Sequence, residues 1–165
     1  MTDTYTHALT AVAAFGAGLS AGVYLAFSTF VMPGLRKQSP PHAIRAMNSI
    51  NKAAPSNPLL MLLLFGTAIV CVLLIITACR HRGDAAAGWQ IAGAALYLIS
   101  VLILVGYHVP HNNQLMVVDP NAAGGDAIWS HFYSAWMVWN HLRTLAAATG
   151  TISLVLALQA IGRAG

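Results

Sequence analysis

At 165 residues, 58% hydrophobic and only 7% charged, the chain has too little polar side chain to enclose a water-soluble globule of its own size. Its formal charge of +4 comes from eight Lys and Arg against four Asp, with no Glu anywhere. This excludes a soluble nucleic-acid binder, which needs a basic face to track phosphates, and a Glu-rich di-iron bundle of the ferritin-like kind. The predicted fold class is all-α: one integral-membrane four-helix bundle over residues 1–165, up-down in topology, with a short amphipathic helix in the first loop and an extended fourth helix.

The first predicted span covers residues 8–32 and contains no Lys, Arg, Asp or Glu. About 20 apolar residues at a 1.5 Å rise cross a bilayer, so the run suffices. It exceeds the roughly 7–15 residue core of a signal peptide, and Met1 to His7 carries no Lys or Arg, so we read it as a retained span. Gly18 and Gly22 form a Gly-xxx-Gly pair that predicts close helix approach, and Pro33 with Gly34 is expected to end the helix.

Residues 36–58 are polar, with Pro40, Pro41, Pro55 and Pro58 marking turns. Between His42 and Lys52 an amphipathic helix is expected, with Ile44, Met47, Ile50 and Ala54 on one face, suited to a membrane surface or to capping the bundle. Asn51 and Asn57 flank its end.

The second span is expected over residues 59–79. Its Cys71 and Cys79 lie eight positions apart on one helix, roughly 12 Å of rise and beyond disulfide reach, so both read as small buried hydrophobes. A polar turn from Arg80 to Asp84 leads to the third span, 89–109, with Trp89 as an interfacial anchor. After Pro110 comes a loop rich in Asn, Pro and Gly; Asp126 reads as an N-cap. From Ala127 to Ile161 there is no proline, which predicts a helical extension over 127–141 continuous with the fourth span, 142–161. Arg36, Lys37, Arg45 and Lys52 against Arg80, Arg82 and Arg163 place the first and third loops in the cytoplasm, in a protein of the cell membrane. A basic pI then suits anionic headgroups, and the expected partners are the bilayer and an apolar ligand, with no nucleic acid; a homo-oligomer is left open.

In an up-down bundle the end of the third span meets the middle of the long fourth helix on the side of the first loop. His108, His111 and Asn112 arrive from one direction, and Trp136, Asn140, His141, Arg143 and Thr144 from the other. Trp136, Asn140 and Arg143 fall at i, i+4 and i+7, on one helical face, which Trp129 and Tyr133 extend outward. An arginine, an amide and an indole on one face are unfavourable toward lipid and favourable around a polar-aromatic ligand. The bland reading of Arg143 is a cation snorkelling to phosphates. His108, His111, His131 and His141 supply a histidine-only set that suits haem or copper as a further alternative, although no motif demands a cofactor. No Gly-rich phosphate cradle, Ser-His-Asp ordering or CxxC motif occurs, and no Glu or Asp lies within a span to relay protons.

Two segments carry a family resemblance: Val109-Pro110-His111-Asn112-Asn113-Gln114-Leu115, and Trp136-Met137-Val138-Trp139-Asn140-His141-Leu142-Arg143-Thr144. With the four-span layout, the V-P-x-N-x-x-L and W-x-x-x-N-x-x-R patterns resemble those of the anthrone oxygenase-like family of small membrane proteins, much of it catalogued only as a domain of unknown function. The resemblance marks Pro110, Asn112, Leu115, Trp136, Asn140 and Arg143 as motif residues, with Asn51 a further match; His108 and His111 depart from the usual pattern. The implied reaction is oxidation of an anthrone-like polycyclic phenol by dioxygen to a quinone, without nicotinamide, flavin or other cofactor. On that implication the base is His108 before His141, and Arg143 with Asn140 and Asn112 as amide donors stabilises the oxyanion. Trp136 walls the ring beside Tyr133, and the first loop closes over it. A non-catalytic membrane protein binding a lipid, quinone or partner helix is the alternative.

Overall fold

A computed structural model describes residues 2–121 and 123–164, which form helices joined by short turns and loops, with no strand among them. Four helices are long and apolar enough to cross a membrane: Thr4–Arg36, Pro58–Arg80, Ala87–Met116 and Gly125–Arg163. A shorter loop helix, Pro40–Ser56, joins the first two. The spans pack as an antiparallel ring in chain order, with the broadest contacts between third and fourth and between first and fourth. Their outer faces carry exposed Phe15, Leu19, Ile69, Leu102, Leu145 and Ile152, as lipid contact requires.

Two prolines expected to end helices do not. The first helix runs through Pro33 to Arg36, and the third runs through Pro110 to Met116. In both, a π-helical turn comes immediately before: Phe27–Val31 and Leu104–His108. A proline in an α-ladder lacks its N–H and collides with the carbonyl four residues back. Here the residue before each proline donates five residues back, Met32 to the Phe27 carbonyl and Val109 to the Leu104 carbonyl. The widened turn shifts the ladder so that the ring is accommodated.

A third π-turn, Leu62–Gly66, sits at the same end of the second span. The Tyr97 hydroxyl donates to its Leu64 carbonyl at 3.0 Å, which satisfies a backbone group in the bundle interior. Deeper polar ties cross between spans, with Gln90 Nε2 donating to Thr10 Oγ1 at 3.0 Å and Ser153 Oγ to the Trp89 carbonyl at 2.8 Å. Cys71 is buried and free, and Cys79 is half-buried and free.

The fourth helix is continuous over Gly125–Ala164, about 60 Å at 1.5 Å per residue. Gly124, not Asp126, occupies the position before it, with a φ of 84° that a side chain would disfavour; its carbonyl accepts from Ala127 and Ile128. Asp126 lies in the first turn, where a carboxylate suits the helix dipole.

The closest backbone-to-backbone helix approach that the glycines allow also differs from the Gly18–Gly22 expectation. A Cβ on Gly18 would make only ordinary contact with Thr151, and one on Gly22 would meet nothing within 4 Å. Gly93 and Gly150 instead bring the third and fourth spans together: a Cβ on either would lie 2.8 Å from the other's carbonyl oxygen. Backbone cannot yield as a side-chain tip can. Gly93→Ala and Gly150→Ala are each expected to destabilise the bundle by about 1–3 kcal/mol, and Gly22→Ala to leave it unchanged, in unfolding titrations in mild detergent.

At the loop-helix end the core changes character. Ala43, Ile44 and Met47 of the loop helix bury against Met32, Leu115, Trp129, Phe132 and Trp136. The loop helix therefore caps the bundle instead of lying on the bilayer. Asn48 Nδ2 donates to the Leu115 carbonyl at 3.3 Å, and Arg45 reaches Asn121 in the third loop.

Candidate functional site

Beneath that cap lies a cavity of about 410 Å³, within the range of small-molecule sites. All four spans and the loop helix line it. The first span contributes Tyr24 and Phe27; the loop helix Met47, Ile50 and Asn51; the second span Met61, Leu64 and Phe65. The third span contributes Leu104, His108, Val109 and Asn112, and the fourth Trp136, Asn140 and Arg143. The wall is apolar and aromatic with a few polar groups facing inward.

Those polar groups are incompletely paired. Tyr24 Oη, Asn51 Nδ2, His108 Nε2, Asn140 Oδ1 and Arg143 Nε are buried without a hydrogen-bond partner among the described residues, and all five belong to cavity-lining residues. Buried polar atoms are nearly always satisfied, so five unpaired atoms around one hollow are unusual; Asn48 Oδ1 and Trp129 Nε1 are also unpaired, outside it.

Each side chain is held by its own neighbours. His108 is 1% exposed, and its Nδ1 faces the Ile103 carbonyl at 3.4 Å. A carbonyl only accepts, so this contact favours the neutral tautomer with its proton on Nδ1, and Nε2 has no hydrogen-bond partner among the described residues. Trp136 meets the imidazole edge-on, with centroids 4.8 Å apart. The indole N–H donates to Asn112 Oδ1 at 3.0 Å, which fixes that amide with its NH₂ end free.

Asn140, 1% exposed, donates to the Tyr24 carbonyl and to Ser28 Oγ, both at 2.8 Å. Its two N–H donors are thereby consumed, and the atom it offers is Oδ1. Asn140 is therefore an acceptor at the cavity and not the amide donor that the family resemblance implies; the Asn112 NH₂ is left free to donate.

Arg143 is 6% exposed, and its guanidinium carbon stands 3.6 Å from the centroid of the Tyr24 ring. The aromatic face offsets part of its desolvation. No carboxylate does, because no acidic residue lines the cavity and Asp84, Asp119 and Asp126 are exposed elsewhere. The planar cation is left available to an anionic oxygen.

Trp136, Asn140 and Arg143 share one inward face, as their spacing predicted, and His108, Asn112 and Asn51 join them. Other expected members lie outside. His141 and His131 are exposed on the fourth helix, because their positions fall on its outer side. Tyr133 packs under Arg36, 4.8 Å from guanidinium carbon to ring centroid, and Trp129 is buried against Phe132. His111 stacks on Tyr107 at 3.9 Å and turns its Nδ1 to the Tyr107 carbonyl. The four histidines thus do not assemble, and no group of three or more His, Cys, Asp or Glu able to hold a metal occurs among the described residues.

Sequence reasoning missed Tyr24, Phe27 and Ser28. They sit in an Ala- and Gly-rich span with nothing in their spacing to separate them from packing residues.

The model of the anthrone oxygenase family matches residues 58–153, from the start of the second span to beyond Arg143. The chain belongs to that family. The match takes in His108, Asn112, Trp136, Asn140 and Arg143, while Tyr24 and the loop helix lie before it. Neither a curated protein nor a solved structure matches the chain.

Proposed function

We propose that this protein is a membrane oxygenase that converts an anthrone-like polycyclic phenol to the corresponding quinone with dioxygen. It would reside in the cell membrane with the loop-helix end toward the cytoplasm. One observation carries the reading: a buried guanidinium without a counter-carboxylate shares an aromatic-walled cavity with an imidazole whose Nε2 is unpaired among the described residues.

The chemistry follows from that pairing. His108 Nε2 removes a proton from the acidic methylene carbon opposite the ring carbonyl, and the electron pair moves to the carbonyl oxygen as an enolate. Arg143 Nε and the Asn112 amide stabilise that oxygen. Asn140 Oδ1 accepts from a ring hydroxyl and so favours a phenolic substrate. The enolate gives one electron to dioxygen, and the resulting radicals combine at the former methylene carbon as a peroxide. Protonated His108 returns its proton to give the hydroperoxide. Loss of the remaining C–H proton with cleavage of the O–O bond forms the second carbonyl and releases water. One oxygen atom stays in the quinone; the other leaves with both hydrogens.

The test uses purified protein in lipid nanodiscs with an anthrone and oxygen-18 gas. Quinone carrying one heavy oxygen is expected at a rate well above that of empty nanodiscs. A rate equal to the empty-disc control, with the anthrone bound and recovered unchanged, would leave a binding protein and end the oxygenase reading.

A further inference from the structure

The cavity is capped on the water side, where Pro55 and Asn113 line it and are exposed, and is flanked on the lipid side by an apolar cleft. On the water side, Ile44 and Met47 of the loop helix are buried against Leu115, Trp129 and Trp136, and the Asn48 bond to the Leu115 carbonyl pins the cap to the third span. On the lipid side, the second and third spans pack along Thr67–Arg80 and Ala87–Ile103, then part company. Beyond their π-turns, Pro58–Gly66 leans on the first span and the loop helix, and Leu104–Met116 on the fourth span and the loop helix. These two stretches have no substantial contact with each other. The cleft between them leads into the cavity.

Its edges are apolar and uncovered. Phe65 and Val109 line the cavity from opposite sides and are also 40% and 42% exposed. Leu62 and Val105 flank them and are more exposed still. An opening bordered by water would expose these side chains at a cost that polar residues would avoid, whereas one bordered by acyl chains exposes them freely.

We propose that the site is loaded sideways from the bilayer, through the cleft between Pro58–Gly66 and Leu104–Met116. The inference rests on the ligand-site reading and narrows the substrate to an uncharged polycyclic phenol dissolved in the membrane. The reaction that supplies it must then deliver the free ring system into lipid, and any step that attaches a sugar or an acidic group must follow this one.

Two measurements test the route in nanodiscs. The first follows association and dissociation of a dihydroxyanthraquinone by stopped flow. Phe65→Trp and Val109→Trp are expected to slow both rates by about tenfold or more, while Asn48→Ala, which releases the cap from the third span without touching the cavity wall, changes them little. The reverse ranking, with both rates raised in Asn48→Ala and the cleft variants unaffected, would overturn lateral entry and leave the site reading intact. The second places a nitroxide on Val109→Cys in a Cys79→Ser background. Frequent collision with dioxygen, which concentrates among acyl chains, and little with a water-soluble nickel chelate is expected; the opposite pattern rejects a lipid-facing mouth. Absence of anthraquinone binding by the wild type, with the nitroxide still in lipid, would sink the ligand reading and leave the lateral opening standing.

Discussion

His108→Ala is expected to lower dioxygen-dependent anthrone turnover by ~10²–10⁴-fold, the range set by loss of a positioned base. Binding of the quinone product should change little, because product carries no proton for the imidazole to remove. The reason lies in the backbone as much as in the ring. The π-turn Leu104–His108 places His108 at the cavity, and the Ile103 carbonyl faces Nδ1, which favours the tautomer that leaves Nε2 as the base. Added imidazole should restore part of the lost turnover in His108→Ala, since the cavity left behind can admit it. His141→Ala serves as the control: an exposed side chain on the outer face should leave the rate unchanged. Equal losses in the two variants, or none in His108→Ala, would remove the general-base assignment.

The choice between those two histidines shows where sequence reading reached its limit. Charge-free runs of about 20 residues are a direct consequence of the cost of exposing charge to lipid, so the four spans and the long fourth helix were legible. The inward face of Trp136, Asn140 and Arg143 was legible too, because 3.6-residue periodicity needs only regular helix over that stretch. Where the helix is irregular the same arithmetic fails. Pro33 and Pro110 read as terminators, yet each follows a π-turn whose register shift carries the helix past it. Those turns extend two helices and set the angle at which His108 enters. Orientation within a side chain was beyond reach for a different reason. Asn140 presents its oxygen because Tyr24 and Ser28, more than 110 positions away, take its N–H groups.

Arg143→Met should produce opposite effects on turnover and on stability. Turnover is expected to fall by ~10²–10³-fold, the cost of losing a principal oxyanion contact. The loss should appear mainly in kcat, because the negative charge develops only after proton removal. The folded protein, in contrast, should become no less stable to heat in detergent. The native guanidinium is 6% exposed and has no carboxylate partner, so its desolvation is offset in part by the Tyr24 face alone. A methionine of similar length fills the space without that cost. A cation kept for structure would behave otherwise, since its removal would lower the melting temperature and activity together. Arg143→Lys sharpens the distinction, because it keeps the charge but gives up the planar stack on Tyr24 and the fixed Nε donor. It is expected to retain an intermediate rate. Should Arg143→Met unfold the bundle while Arg143→Lys restores both fold and full activity, the charge would be serving the fold, and the oxyanion role would have to pass to Asn112.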